Sequence, residues 1–192
     1  MSSSPRIRTL LAPVGVIATV AAIAFSAPSF GAADPAKNTV TATFKQMNVP
    51  VDGTFNKVNA TVQFDPANLA ASKAQLDVDV ASFDLGSADY NAEVAGKDWF
   101  DAKDFPHATF VSTSIKPAAN GSFAVSGTLT IRGKSSAVVV PVQYHKNGTS
   151  QVFDGTLPVK RLQYGIGQGD WKDTSIVADD VQLKFHIVSN GH

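Results

Sequence analysis

Residues 123–131, FAVSGTLTI, alternate between two kinds of side chain. Phe123, Val125, Leu129 and Ile131 share the odd positions with one glycine, and the polar side chains between them are Ser126, Thr128 and Thr130. Successive side chains of a β-strand point to opposite faces. The stretch therefore predicts a strand that is buried on one face and in contact with water on the other.

The same two-residue period recurs along most of the chain, and turn signals such as VDGT at 51–54 and HKNG at 145–148 separate the alternating runs. Residues 87–100, SADYNAEVAGKDWF, lack the alternation and predict a short helical segment, either one helix or two helical turns with Gly96 as a break. The alternating runs predict eight strands, near residues 40–46, 53–65, 73–83, 106–117, 121–132, 136–146, 150–162 and 175–189.

Eight mostly antiparallel strands with one apolar face each can close into a barrel or stack as a sandwich. Long strands joined by short hairpins favour the barrel, because long strands tilt around a closed wall and closure removes exposed edges. We therefore predict an all-β protein built as an eight-stranded antiparallel β-barrel. The interior of such a barrel either fills with its own side chains or holds one small ligand.

Residues 1–33 have the layout of a secretory signal peptide. Two arginines open the segment, an apolar run follows from 10 to 25, no acidic residue occurs, and small residues end it at Ala33. A membrane anchor would need about 20 strongly apolar residues, whereas this run is shorter and contains a proline and a glycine. We expect cleavage near Ala33, with a cut after Ser26 as the alternative, and a periplasmic or secreted domain over residues 34–192.

The charge and cysteine content exclude several classes of function. Without residues 1–33, which hold 2 of the 16 Lys and Arg, the chain has 14 basic against 16 acidic residues, a net charge of −2. A near-neutral surface without basic blocks argues against nucleic-acid binding, which needs many contacts from Lys and Arg to phosphates. The chain has no cysteine, so thiol nucleophiles, Cys-ligated metals and disulfides are excluded, and stability must come from an ordinary core.

The stretch LQYGIGQGDW at 162–171 places three glycines at alternate positions and so resembles a phosphate-binding loop. A dinucleotide fingerprint needs the spacing G-x-G-x-x-G and a helix that begins directly after it. Here the spacing is G-x-G-x-G, and another alternating strand follows. We interpret the glycines as a tight connection between the last two strands.

Other candidate sites are weak. The four histidines, at 107, 145, 186 and 192, lack the spacing that would place two imidazoles on one metal ion, and no G-x-S-x-G elbow for a serine nucleophile is present. Asp98, Asp101 and Asp104 could form an acid pair or a cation site, but a solvated loop explains them better. We therefore predict no metal, no cofactor and no catalytic residue.

Four stretches carry a resemblance to a known family. They are QLDVDVASFDLG at 75–86, GKDWFDAKDFPHATFVSTSI at 96–115, VSGTLTIRGKSSAVVVPV at 125–142 and YGIGQGDWKDTSIVADDVQLKFHI at 164–187. In order and spacing they resemble the consecutive motifs of the YceI family. The resemblance implies an exported, extended, lipocalin-like barrel that encloses a long-chain isoprenoid or a related amphiphile.

The ending GIGQGDW at 165–171 resembles a branch of that family often found near membrane cytochromes of the di-haem b type. This resemblance would suit a quinone-like tail as ligand. It also implies transient contact with a membrane or with a membrane cytochrome.

The predicted barrel interior is almost wholly aliphatic and aromatic, so a ligand held there would have to be apolar. For the mouth, where a polar head group would lie, the sequence offers Trp99, Phe100 and His107 around the irregular segment. The predicted ligand-binding lining of the lumen consists of Phe44, Val62, Phe64, Leu76, Val78, Val80, Phe110, Leu129, Ile131, Val138, Val140, Leu183 and Phe185.

Three classes of function remain open. The first is a lipid-binding carrier or storage protein for a polyisoprenoid, a quinone-like molecule or another long-chain lipid. The second is an enzyme that acts on such a ligand, for which Asp98, Asp101 and His107 would be the first candidates. The third is a structural or stress module whose lumen is filled by its own side chains.

Overall fold

The structure, a computed structural model, describes residues 31–32 and 37–190. Residues 1–30, most of the predicted signal peptide, lie outside the described residues. The described strands are β1 (Gly31–Ala32), β2 (Thr39–Gln46), β3 (Val49–Phe55), β4 (Val58–Gln63), β5 (Lys73–Asp79), β6 (Phe83–Asp84), β7 (His107–Pro117), β8 (Phe123–Ile131), β9 (Lys134–Asn147), β10 (Ser150–Lys160) and β11 (Asp180–Asn190). The α-helix is α1 (Ala88–Ala95), and short 3-10 turns cover Val80–Ser82, Ala119–Gly121, Arg161–Tyr164 and Gly169–Lys172.

All strands pair antiparallel in one sheet with the order β1-β4-β5-β7-β8-β9-β10-β11-β2-β3-β6. β3 and β4 lie near opposite ends of this order, yet only residues 56–57 separate them in the chain. They are two halves of one broken strand, so the sheet curls into a barrel whose wall has eight strands. The predicted all-β barrel is thereby confirmed, and among the described residues it carries one short α-helix, α1, within the predicted segment 87–100.

The hairpin before this broken strand differs from the prediction. VDGT at 51–54 is not a turn but part of β3. The chain turns instead at Met47 and Asn48, which have positive φ angles of 47° and 67°, as a two-residue hairpin turn requires. Gly53 pairs with Ala42 within β3, and a glycine is needed there because the ring of Phe83 lies where a Cβ would be.

The side chain of Asn38 links β4 to β11, where β4 has no long strand as a partner on one edge. β5 pairs with one edge of β4, and on the other edge Gly31–Ala32 pairs with Val62 and Thr61. Beside this pair, buried Asn38 accepts a 3.0 Å hydrogen bond from the amide of Val188 in β11 and donates a 3.5 Å bond to the carbonyl of Val58 in β4. The amide side chain of Asn38 thus joins β4 and β11, which are not paired with each other through backbone hydrogen bonds.

The two ends of the barrel differ in construction. The hairpin end carries the connections at 64–72, 118–122 and 148–149, and the loop end carries α1 with residues 80–106 and the long connection 161–179. α1 is tied to β6 through Asp84, whose carboxylate accepts hydrogen bonds from the Gly86 amide (2.8 Å) and the Asn91 side chain (2.9 Å). The loop end is therefore covered by ordered, non-strand chain.

Candidate ligand-binding lumen

A cavity of about 190 Å³ runs through the barrel. Its wall comes from every long strand and from residues 100 and 161–166 at the loop end. Of the residues that line it, only Thr109, Arg161 and Tyr164 carry a polar side-chain group. Leu183 and Phe185 point inward and pack against the core, yet they are only partly buried because they also border this space. The lumen is thus open, not filled by its own side chains.

Ten of the thirteen predicted lining residues lie on the cavity wall: Val62, Phe64, Leu76, Val78, Phe110, Leu129, Ile131, Val140, Leu183 and Phe185. Phe44, Val80 and Val138 are outside the lining. β5 ends at Asp79, so the alternation stops before Val80, which is buried in a 3-10 turn. Phe44 lies one pleat beyond Ala42, where the β2 part of the lining ends. Val138 pairs with Gly127, and the ring of Phe110 lies over that glycine.

The sequence interpretation missed several other lining residues. Most of them follow the same alternation and could have been found from it, namely Val40, Ala42, Phe55, Ala74, Phe123, Val125, Val142, Phe153, Leu157, Val159, Val181 and Ile187. Arg161, Tyr164 and Ile166 had no such signal, because they follow the end of β10.

Of the three residues predicted at the mouth, the structure brings only Phe100 to the cavity. Trp99 is 8% exposed and packs against Trp171, with ring centroids 5.3 Å apart. His107 is exposed, and its Nδ1 lies 2.9 Å from a carboxylate oxygen of Asp77. Leu76 and Val78 face the lumen, so Asp77 and its partner His107 lie on the outer face of the wall.

Aromatic clusters lie at both ends of the cavity. At the hairpin end, Phe64 packs against Phe123, Tyr144 and Phe153 with centroid distances of 5.0, 4.8 and 5.4 Å. At the loop end, Phe83 packs against Phe55 and Phe100 at 4.5 and 5.6 Å. The cavity therefore lies between two groups of packed aromatic rings.

The glycine-containing segment 162–171 encloses an arginine, not a phosphate. Arg161 is 4% exposed, and its five N–H donors all reach main-chain carbonyls. Nε donates to Ala178 (3.1 Å), Nη1 to Ile166 (2.9 Å) and Gly167 (3.4 Å), and Nη2 to Trp171 (2.6 Å) and Val177 (2.7 Å). The guanidinium therefore organises the whole connection between β10 and β11.

Two of the glycines are required by this arrangement. Gly165 and Gly167 have φ angles of 75° and 77°, which disfavour other residues. A Cβ at Gly167 would also collide with Nη1 of Arg161. A second arginine, Arg132, donates to the carbonyls of Gly165 and Lys97. The interpretation of the glycines as a close-packed connection is confirmed.

The electrostatics of Arg161 follow from its burial. Desolvation lowers the pKa of the guanidinium, and the nearby carboxylate of Asp179 partly offsets this. The charge also lies 5.8 Å from the centre of the Trp99 ring, within the range of a cation–π contact. Because every donor is already used, Arg161 can contribute charge to the lumen but no free hydrogen bond.

The remaining polar candidates do not converge on the lumen. Asp98, Asp101 and Asp104 are absent from its lining, and Asp101 lies 3.7 Å from the Arg132 guanidinium. On the outer wall, Asp154 lies between His186 (2.7 Å) and His145 (3.9 Å). Within residues 31–32 and 37–190, no group of three or more His, Asp or Glu side chains could hold a metal ion.

Fold and cavity together define a lipocalin-like barrel with an apolar lumen. The model of the YceI-like domain matches residues 32–189, and the chain belongs to the YceI family. It is 31% identical over 141 residues to a UPF0312 protein of Vibrio cholerae, across 69% of this chain and 75% of that protein.

Solved structures with a similar fold are also known. The chain is similar to BcnA of Burkholderia cenocepacia, with a TM-score of 0.79 and 58% identity over 81% of this chain and 98% of that one. It also shares its fold with a polyisoprenoid binding domain from Saccharophagus degradans implicated in plant cell wall breakdown. That likeness has a TM-score of 0.69 and 15% identity, over 84% of this chain and 98% of the other.

In the part of the chain that the structure describes, none of the helices has the length and apolar character needed to cross a membrane.

Proposed function

We propose that this protein is an exported carrier or storage protein that holds one long-chain isoprenoid or quinone-like amphiphile in its lumen. The observation that carries the proposal is the cavity itself, which is enclosed by aliphatic and aromatic side chains along its whole length. Burial in such a site gains roughly 25 cal/mol per Å² of apolar ligand surface. A ligand whose hydrocarbon chain is almost insoluble in water gains most from that burial.

The polyisoprenoid binding described for the Saccharophagus degradans domain supports this ligand class, because that domain shares the fold. An apolar wall recognises the length and thickness of a chain more than its chemistry. The choice between an isoprenoid alcohol and a quinone therefore depends on the head group, which lies beyond the apolar lining.

A binding role is better supported than an enzymatic one. Of the side chains that line the lumen, only Arg161 and Tyr164 can titrate, and Arg161 donates all its N–H groups to carbonyls. The suspected catalytic group His107 pairs with Asp77 on the outer face. A reaction on a buried chain would need an acid, base or nucleophile inside the lumen.

Mass spectrometry of an organic extract from purified protein tests the proposal. A carrier should release one class of long-chain lipid in near-stoichiometric amount. Leu183 lies on the cavity wall. Its replacement by Trp should sharply reduce the amount of co-purified lipid, because the added ring occupies the space of the lipid's hydrocarbon chain. Overpacking could cost about 1–3 kcal/mol of stability, so unfolding in urea is measured alongside.

Gln182→Trp is the matched control, since Gln182 is exposed on the outer face of the same strand. It should leave the lipid content unchanged. Equal lipid content in both variants, or no lipid in the wild-type extract and no uptake of added lipid, would contradict the proposal.

Export is part of the proposal and has its own test. Protein recovered from the native host should have lost the segment that ends near Ala33, which intact-mass measurement detects. A cut after Ser26 would instead retain Gly31–Ala32, the pair that borders β4. A full-length soluble protein would contradict export by a cleaved signal peptide.

A further inference from the structure

Two glycines in the barrel wall lie beneath phenylalanine rings of neighbouring strands. A Cβ added to Gly127 in β8 would lie 2.5 Å from Cζ of Phe110 in β7. A Cβ added to Gly155 in β10 would collide with Cζ of Phe185 in β11. Glycine weakens the interior of a strand and often marks a close approach of another group. Here the close approach is that of two aromatic rings.

Both rings belong to the cavity wall, and they come from opposite sides of the barrel. With β3 and β4 counted as one strand, β7 and β11 are four strands apart in either direction around the wall. The two side chains therefore face each other across the lumen rather than standing side by side.

The strand pairing also places Phe110 and Phe185 at the same height along the barrel. In one direction, paired residues lead from Phe185 through Gly155, Val142 and Phe123 to Pro117 on β7. In the other direction, paired residues lead from Phe185 through Val40 to Phe55. Phe55 lies three residues before Val58 on the broken strand, and Val58 leads through Val78 to Ala108 on β7. The position level with Phe55 therefore lies three residues before Ala108, at Phe105.

Barrel strands tilt relative to the barrel axis, so the two paths around the wall reach β7 at different residues, 117 and 105. The residue of β7 directly opposite Phe185 lies midway between them. The midpoint of residues 105 and 117 falls within one residue of Phe110. The lumen thus has two aromatic rings directly opposed across its axis, each lying over a glycine that lets the ring rest on the wall.

We propose that Phe110 over Gly127 and Phe185 over Gly155 form a waist that sets the thickness of the chain the lumen admits. This proposal rests on the function proposed above. The glycines let the rings rest on the wall, so that a single methyl-branched chain passes between them. Any change that lifts a ring from its glycine narrows the passage, and any change that removes a ring widens it.

The test compares phytanol, the fully saturated form of geranylgeraniol, with hexadecanol, because these two alcohols share the length of the main chain and differ only in methyl branches. Their dissociation constants are measured with lipid-free protein. In the double variant Phe110→Leu/Phe185→Leu, the preference for the branched probe should rise by about tenfold, the order of discrimination that a methyl-sized change produces in an apolar pocket. Gly155→Ala should shift the preference toward the straight probe.

Gly155→Ala also brings a Cβ within 2.6 Å of the Pro141 carbonyl, so this variant could fail to fold. The double leucine variant removes bulk only and keeps the test decisive. Phe105→Leu is the matched control, because Phe105 lies over Gly133 in the same way but does not line the cavity. It should leave the preference unchanged.

An unchanged preference in the double leucine variant, with both probes still bound, would overturn the waist and leave the proposed function intact. A shift of equal size in Phe105→Leu would overturn it too. Wild-type protein that binds neither probe would instead overturn the proposed function, and the waist with it.

Discussion

Arg161 is the one charged side chain on the cavity lining among the described residues. Carbonyl groups of five residues accept hydrogen bonds from its guanidinium, and the nearby carboxylate of Asp179 adds a favourable interaction between charges. Hydrogen bonds to a charged group are stronger than those between neutral groups. One side chain therefore holds together a connection that has only short 3-10 turns of its own.

Replacement of Arg161 by Met should destabilise the protein strongly, by about 3 kcal/mol or more, because buried carbonyls would lose their donors. Urea unfolding measures the change. Lys160→Met is the control, since the neighbouring Lys160 is exposed and makes a surface ion pair with Asp180, a kind of pair that contributes little. A comparable loss in both variants would contradict the role given to Arg161.

The helical element at the loop end depends on a local carboxylate. The side chain of Ser87, the residue before α1, makes no capping hydrogen bond. Asp84 instead holds the Asn91 side chain and the Gly86 amide, and these hydrogen bonds lower the pKa of its carboxyl group. α1 is therefore anchored to the barrel by β6 more than by its own cap.

Acid should loosen α1 before it unfolds the barrel. The pKa of Asp84 is lower in the folded than in the unfolded protein. Its contribution to the stability of α1 is therefore fully present above the unfolded pKa of about 4, and it is lost as the pH falls through the lower, folded pKa. Hydrogen-exchange protection of α1 amides, followed across this pH range, reports the loss.

Asp84→Ala should lower the protection of α1 at neutral pH and remove its acid dependence. Glu93→Ala, which alters an exposed carboxylate of the same helix, should not. Acid sensitivity that persists in Asp84→Ala would assign the effect to another group.

The molecule as a whole is a long apolar cavity between two aromatic clusters, with an arginine-centred connection closing the loop end. An unfilled apolar cavity leaves its lining without contacts on one side. Under the proposed function, a bound chain supplies those contacts, and ligand and fold stabilise each other.

Lipid-free protein should accordingly melt at a lower temperature than lipid-loaded protein, and added geranylgeraniol should restore the higher melting temperature. A ligand at 100 times its dissociation constant adds about 2.7 kcal/mol. Calorimetry with and without the ligand measures this. Leu183→Trp should show no gain from added ligand, and a gain equal to that of the wild type would argue for a binding site outside the lumen.

The local sequence is enough to predict most of the strands, the short helical segment and the direction of most side chains. Period-2 alternation predicts that Leu183 and Phe185 point inward and Gln182 and Lys184 outward, because the pleat itself has that period. The same rule accounts for most of the lining, since each strand has one apolar face. These features depend on residues that are close together in the chain.

Other features were decided only by the tertiary structure. The break between β3 and β4, the turn at Met47–Asn48, the carbonyls around Arg161 and the opposed rings of Phe110 and Phe185 depend on contacts across the barrel. Alternation specifies the face on which a side chain lies but not its partner in another strand. The partner depends on register, strand tilt and barrel closure, which exist only once the wall has formed.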